Sequence, residues 1–73
     1  MYWVYGSHMA HAGHTIRTLR DALGMSQVTL AHLADTSVAQ ISKVESGKRV
    51  PSEKWLDAVN TAIANELHAR RTR

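Results

Sequence analysis

An all-α fold, a compact domain of four short helices, is what this sequence predicts, on three observations. From Met9 onward apolar residues recur at three- and four-residue spacing, with no alternating strand pattern and no internal repeat. Ser26, Ser37 and Ser52 each stand just before such a stripe, where an N-cap belongs. Gly24 and Gly47 stand just after two of the stripes, where a left-handed C-terminal residue belongs.

The elements follow in order. Helix one is expected from Thr15 to Leu23, with Ile16, Leu19 and Leu23 on one face and Gly24 as its stop. Ser26 opens helix two, whose inner face carries Leu30, Leu33 and Ala34. Ser37 opens helix three, and Gln40 three residues on completes a capping box. Ile41 and Val44 face inward there, and Gly47 ends the helix. Val50 precedes Pro51 and is therefore extended. Ser52 caps a longer fourth helix with a Leu56, Val59, Ile63, Leu67 stripe, fraying among Arg70, Arg71 and Arg73. The expected core is Ile16, Leu19, Leu23, Val28, Leu30, Leu33, Ile41, Val44, Leu56, Val59 and Ile63. At about 1.5–3 kcal/mol for each full burial this is a modest core, largely offset by ordering entropy, and burial in a homodimer would add to it.

Composition sets the limits. At 73 residues the chain has room for one domain. A net charge of +3 suits a polyanionic partner without identifying it. With no cysteine there is neither a disulfide framework nor a thiolate metal site. No apolar run approaches the roughly 20 residues of a membrane span, and no secretory signal is visible, so a cytoplasmic, nucleoid-associated protein is expected. Gly6-Ser7-His8-Met9 has the form of a cleaved affinity-tag scar. Residues 1–8 are therefore taken as an expression-derived addition and 9–73 as the domain. The addition holds Tyr2, Trp3 and Tyr5, so the domain itself has a single aromatic residue, Trp55.

Within that domain, Ser26-Gln27-x-x-Leu30-Ala31 and Ser37-x-x-x-Ile41-Ser42-x-x-Glu45-x-Gly47 describe two short amphipathic helices joined by the turn Asp35-Thr36-Ser37. A basic segment, Arg49-x-Pro51 with Lys48 before it, follows. This is the sequence form of a helix-turn-helix, in which the second helix protrudes from the surface. Catalysis needs a pocket, and a protruding helix makes an edge. Residues 15–63 resemble the phage repressor and Cro (Xre-type) helix-turn-helix family in the order and spacing of these positions. The resemblance implies a lambda-repressor-like domain of four helices, or five as in many relatives, bound to double-stranded DNA through helix three, about residues 37–46.

Site residues follow from chemistry and resemblance together. Gln27, in the first turn of helix two, is expected to aim its amide and the nearby backbone N–H groups at a phosphate with help from the positive helix end. The resemblance assigns most base-edge contacts to Ser37, Val38, Ala39, Ser42 and Lys43. Val38 and Ala39 suit thymine methyl groups, while Lys43 suits guanine O6 or N7, or else a phosphate. Their alternatives are partial burial for Val38, simple helix formation for Ala39 and a phosphate contact alone for Ser42. The loop of Lys48 and Arg49 is implied to follow the sugar-phosphate backbone. Glu45, a carboxylate at a helix C-terminus, opposes the macrodipole and calls for a cation. Arg20 is the candidate, a structural clamp with a phosphate as its second partner, and the family pairs an acid here with an arginine on helix one. Asp35 stands where relatives carry glycine, a position that aspartate tolerates.

Other chemistries find less support. His8, His11 and His14 are evenly spaced but lie in or near the addition, and His32 and His68 have no ligand-type neighbours, so no metal and no cofactor is expected. Ser26, His32 and Asp35 lie around one short helix without an oxyanion loop, so no enzyme is expected. The predicted function is a sequence-specific transcriptional regulator, a small repressor binding a pseudo-palindromic operator as a homodimer. The alternative is an antitoxin or other protein-interaction module, prompted by Trp55 one residue off the Leu56 stripe.

Overall fold

Residues 12–71 are described by the computed structural model. Four α-helices order the chain: α1 (Ala12–Ala22), α2 (Gln27–Leu33), α3 (Val38–Glu45) and α4 (Glu53–Arg71), with no strand among the described residues. The fold class is the all-α, four-helix one expected from the sequence. The proposed addition, residues 1–8, lies outside the described residues.

Serine hydroxyls open three of the helices. Ser26 Oγ accepts from the Thr29 N–H at 3.0 Å, Ser37 Oγ from the Gln40 N–H at 3.1 Å, and Ser52 Oγ from the Trp55 N–H at 3.1 Å. Each hydroxyl occupies one of the donors that a helix start leaves unpaired.

The first three helices also end alike, on a left-handed residue. Gly24 (φ 64°), Asp35 (φ 55°) and Gly47 (φ 79°) each reverse the chain. In each case the next residue donates back across the last turn: Met25 to the Arg20 carbonyl, Thr36 to that of Ala31 and Lys48 to that of Lys43, each at 2.9 Å. These are Schellman caps. The second is the turn of the helix-turn-helix, and Asp35 adopts there the conformation for which glycine is the usual residue.

α1 starts earlier than its stripe implies, because Gly13 is helical and buried. A Cβ at Gly13 would fall on the Val44 carbonyl. Backbone thus meets backbone where α1 crosses the end of α3, and glycine alone allows the approach.

The core consists of Ile16, Met25, Leu30, Ala31, Ala34, Ile41, Val44, Val59, Ala62 and Ile63, with Leu23, Trp55 and Leu56 packed at its edge. α3 packs against α1 and α2, and α4 closes over the other side of the same two helices. Three expected core residues are not in it: Leu19, Val28 and Leu33 are 37%, 64% and 46% exposed. For α2 the reason is angular. Leu30, Ala31 and Ala34 define its inward direction, and at about 100° per residue Val28 and Leu33 fall on either side, roughly 100° away. Met25, from the turn before α2, joins the core instead, and Ala31 is buried with it.

Candidate nucleic-acid interface

The inward side of α3 fixes what its outward side can present. Ile41 and Val44 are buried. At about 100° per residue, Ala39 and Ser46 then point furthest outward. Ser42 and Glu45 lie on one flank, towards α1 and α2, whereas Gln40 and Lys43 lie on the other, towards the loop of residues 48–52. Val38, Ala39, Ser42, Lys43 and Ser46 are all exposed, as is Ser37 at the cap. Lys48 and Arg49 are exposed in the loop that follows.

A polar clamp holds the flank nearer α1. Arg20 Nε donates to Glu45 Oε2 at 2.8 Å and Arg20 Nη2 donates to Oε1 at 3.0 Å, a bidentate pair. Arg20 Nη1 donates to the Met25 carbonyl at 2.8 Å, so all three guanidinium nitrogens are engaged within the protein. The two side chains are 11% and 4% exposed. Burial alone would raise the Glu45 pKa, but hydrogen bonds from Arg20 and Gln27, with the charges of Arg20 and Arg17, outweigh it and hold the carboxyl below its ordinary range. The hydrogen bond to Glu45 raises the Arg20 pKa in turn. The acid thus stays ionised beside α3 without presenting a free negative charge to a polyanion.

Gln27 has a role that the sequence reading did not assign. Its Nε2 donates to Glu45 Oε1 at 3.0 Å, making it the third member of the clamp. One of the two N–H donors on that amide nitrogen is thus turned inward, because a carboxylate oxygen is the stronger acceptor within reach.

An exposed helix held from behind by a buried ion pair and flanked by a basic loop is the geometry on which a comparison of sequences bears. The family model described as a helix-turn-helix domain matches residues 11–64. The chain belongs to this helix-turn-helix family. The match spans α1 to α3 and reaches into α4, so it takes in the clamp, the exposed helix and the basic loop together. Comparison with curated proteins and with solved structures returns no match. Membership of the helix-turn-helix family makes DNA the partner whose binding this surface must explain.

Behind the helix-turn-helix, Trp55 donates from Nε1 to Thr36 Oγ1 at 2.8 Å, tying the start of α4 to the turn between α2 and α3. Its ring packs on the core edge. Among the described residues no buried side-chain nitrogen or oxygen lacks a partner, and none of them forms a group of three metal-ligand side chains. His14, His32 and His68 are exposed on separate helices, whereas His8 and His11 lie outside the described residues. The Ser26 hydroxyl is occupied by Thr29, accepting from its N–H and donating to its Oγ1 at 3.0 Å. No described helix is long and apolar enough to cross a membrane.

Proposed function

We propose that the protein is a sequence-specific, double-stranded-DNA-binding transcriptional regulator of the phage repressor and Cro (Xre-type) group. It is a small repressor that acts as a homodimer on a pseudo-palindromic operator in the cytoplasm. α3 enters the major groove, where Ser37, Val38, Ala39 and Lys43 meet base edges, Ser42 stands at the groove's edge towards the backbone, and Lys48 and Arg49 follow the backbone on the other side. The observation that carries this reading is the contrast between the two sides of α3. Its back is buried and locked by the Arg20–Glu45–Gln27 clamp, and its front is a narrow exposed face carrying a cation and small side chains. A rigid probe of this kind suits a groove about 12 Å wide. Arg20 acts indirectly, by fixing the pose of α3, and Gln27 supports the same clamp through one amide donor while the start of α2 remains open to a phosphate.

Selection from random duplexes with the purified protein, followed by salt titration of the winner, tests the proposal. The expected winner is two-fold symmetric with half-site centres about 34–36 Å apart. Its affinity should fall steeply with salt and exceed that for random duplex by about 10³ or more. Equal affinity for every duplex would remove the specificity claim. The antitoxin alternative rested on Trp55 as a contact residue. With its N–H satisfied by Thr36 and its ring on the core edge, that residue no longer favours it.

A further inference from the structure

Beside α3, on the flank away from the basic loop, a polar groove of about 270 Å³ opens between α1, α2 and α3. Arg17, Arg20, Gln27, Ser42, Glu45 and Ser46 line it. The internal bonding leaves few groups free to meet a ligand. Arg20 and Glu45 neutralise each other, and one of the two Gln27 amide N–H donors is spent on Glu45. Ser46 Oγ donates to the Lys43 carbonyl at 3.2 Å. What faces outward is the Ser42 hydroxyl, exposed and with no side-chain partner among the described residues, and the Arg17 guanidinium.

Arg17 is 65% exposed; among the described residues its one ion-pair partner is Asp21, with 3.8 Å between Nε and Oδ2, and its charge also reaches Glu45 across the groove. Asp21 is itself 60% exposed and shared with Arg20 Nη1 at 3.4 Å. So open and long an ion pair is easily exchanged for a better anion. The groove therefore presents one weakly held positive charge and one hydroxyl donor, on the Ser42 flank of α3. Lys43, Lys48 and Arg49 supply the positive charge on the opposite flank. A helix in the major groove has a phosphate backbone on each side, and the loop cations serve only one of them.

We infer that this groove is a second backbone site, in which Arg17 holds a DNA phosphate with Ser42 as the accompanying donor. It grips the strand opposite the one followed by Lys48 and Arg49. This rests on the DNA-binding reading given above. Asp21 is the built-in competitor, occupying Arg17 when no DNA is bound.

The test is the salt dependence of affinity for a selected site and for a random duplex, with wild type, Arg17→Gln, Arg17→Lys and Asp21→Asn. Arg17→Gln is expected to make the slope of log K against log salt shallower by about one. It should weaken both duplexes alike, by roughly fivefold near 0.15 M salt. Arg17→Lys should keep the slope, and Asp21→Asn should tighten binding to both duplexes. A thermal melt equal to wild type excludes a folding effect, as expected for an exposed residue. An unchanged slope in Arg17→Gln, with wild type still binding, overturns the Arg17 assignment alone. A loss confined to the selected site also overturns it, since it would mean base contact. A wild-type protein that binds no duplex overturns the regulator reading and this inference together.

Discussion

Lys43 and Glu45 stand two residues apart on α3 and do opposite work. Lys43 is exposed and free to meet DNA, whereas the Glu45 carboxylate is shielded in a part-buried bidentate pair. Lys43→Ala is expected to weaken binding to a selected site by about 1–3 kcal/mol and to relax its base preference, as seen in a competition assay. Equal losses on selected and random duplexes would reassign Lys43 to phosphate. Glu45→Ala leaves Arg20 and the Gln27 amide without their acceptor, and leaving a part-buried charged donor unpaired costs about 1–3 kcal/mol, read from a urea midpoint. The depressed Glu45 pKa fixes the sign with pH. Its stabilisation is fully present above the unfolded value of about 4.5 and is lost as pH falls through the lower folded value. Melting temperature should thus drop on acidification below about 4.5, with a smaller drop in Glu45→Ala. The clamp's two charges are legible in the sequence, because a carboxylate at a helix C-terminus calls for a cation. Its third member is not, since the Gln27 rotamer is chosen by a neighbour 18 positions away.

At the scale of elements, starts and stops read most directly, because capping depends on the few residues at each helix end. Ser26, Ser37 and Ser52 cap as their chemistry requires, and Asp35 takes the left-handed position. The start of α1 is hidden, because a glycine looks like a helix breaker until the helix it touches is known. Gly13→Ala makes this measurable. In an open helix that change stabilises by roughly 0.5–1 kcal/mol. Here the added methyl meets the Val44 carbonyl, so the expectation is a loss of about 1–3 kcal/mol by chemical denaturation. Because α1 and α3 would be pushed apart, DNA affinity should fall as well. A stabilised variant would show that this contact is not close.

Taken whole, the molecule combines a small core with Leu19, Val28, Leu33 and Leu67 on its surface. Extra burial between two copies is the homodimer expectation at this scale. Folding and assembly would then be linked by mass action, so the melting temperature should rise with protein concentration and equilibrium sedimentation should give twice the chain mass. A concentration-independent melt with a monomer mass would leave half-site binding as the only mode. Helix period, capping chemistry and charge were enough to determine four helices, their order and an exposed third helix, because each depends on neighbours within about two turns. Only tertiary structure decided that Val28 and Leu33 turn outward, that Met25 fills the core, that Gln27 serves Glu45 and that Arg17 borders a groove. Those outcomes depend on the angle at which one helix meets another, and side chains far apart in the chain set that angle together.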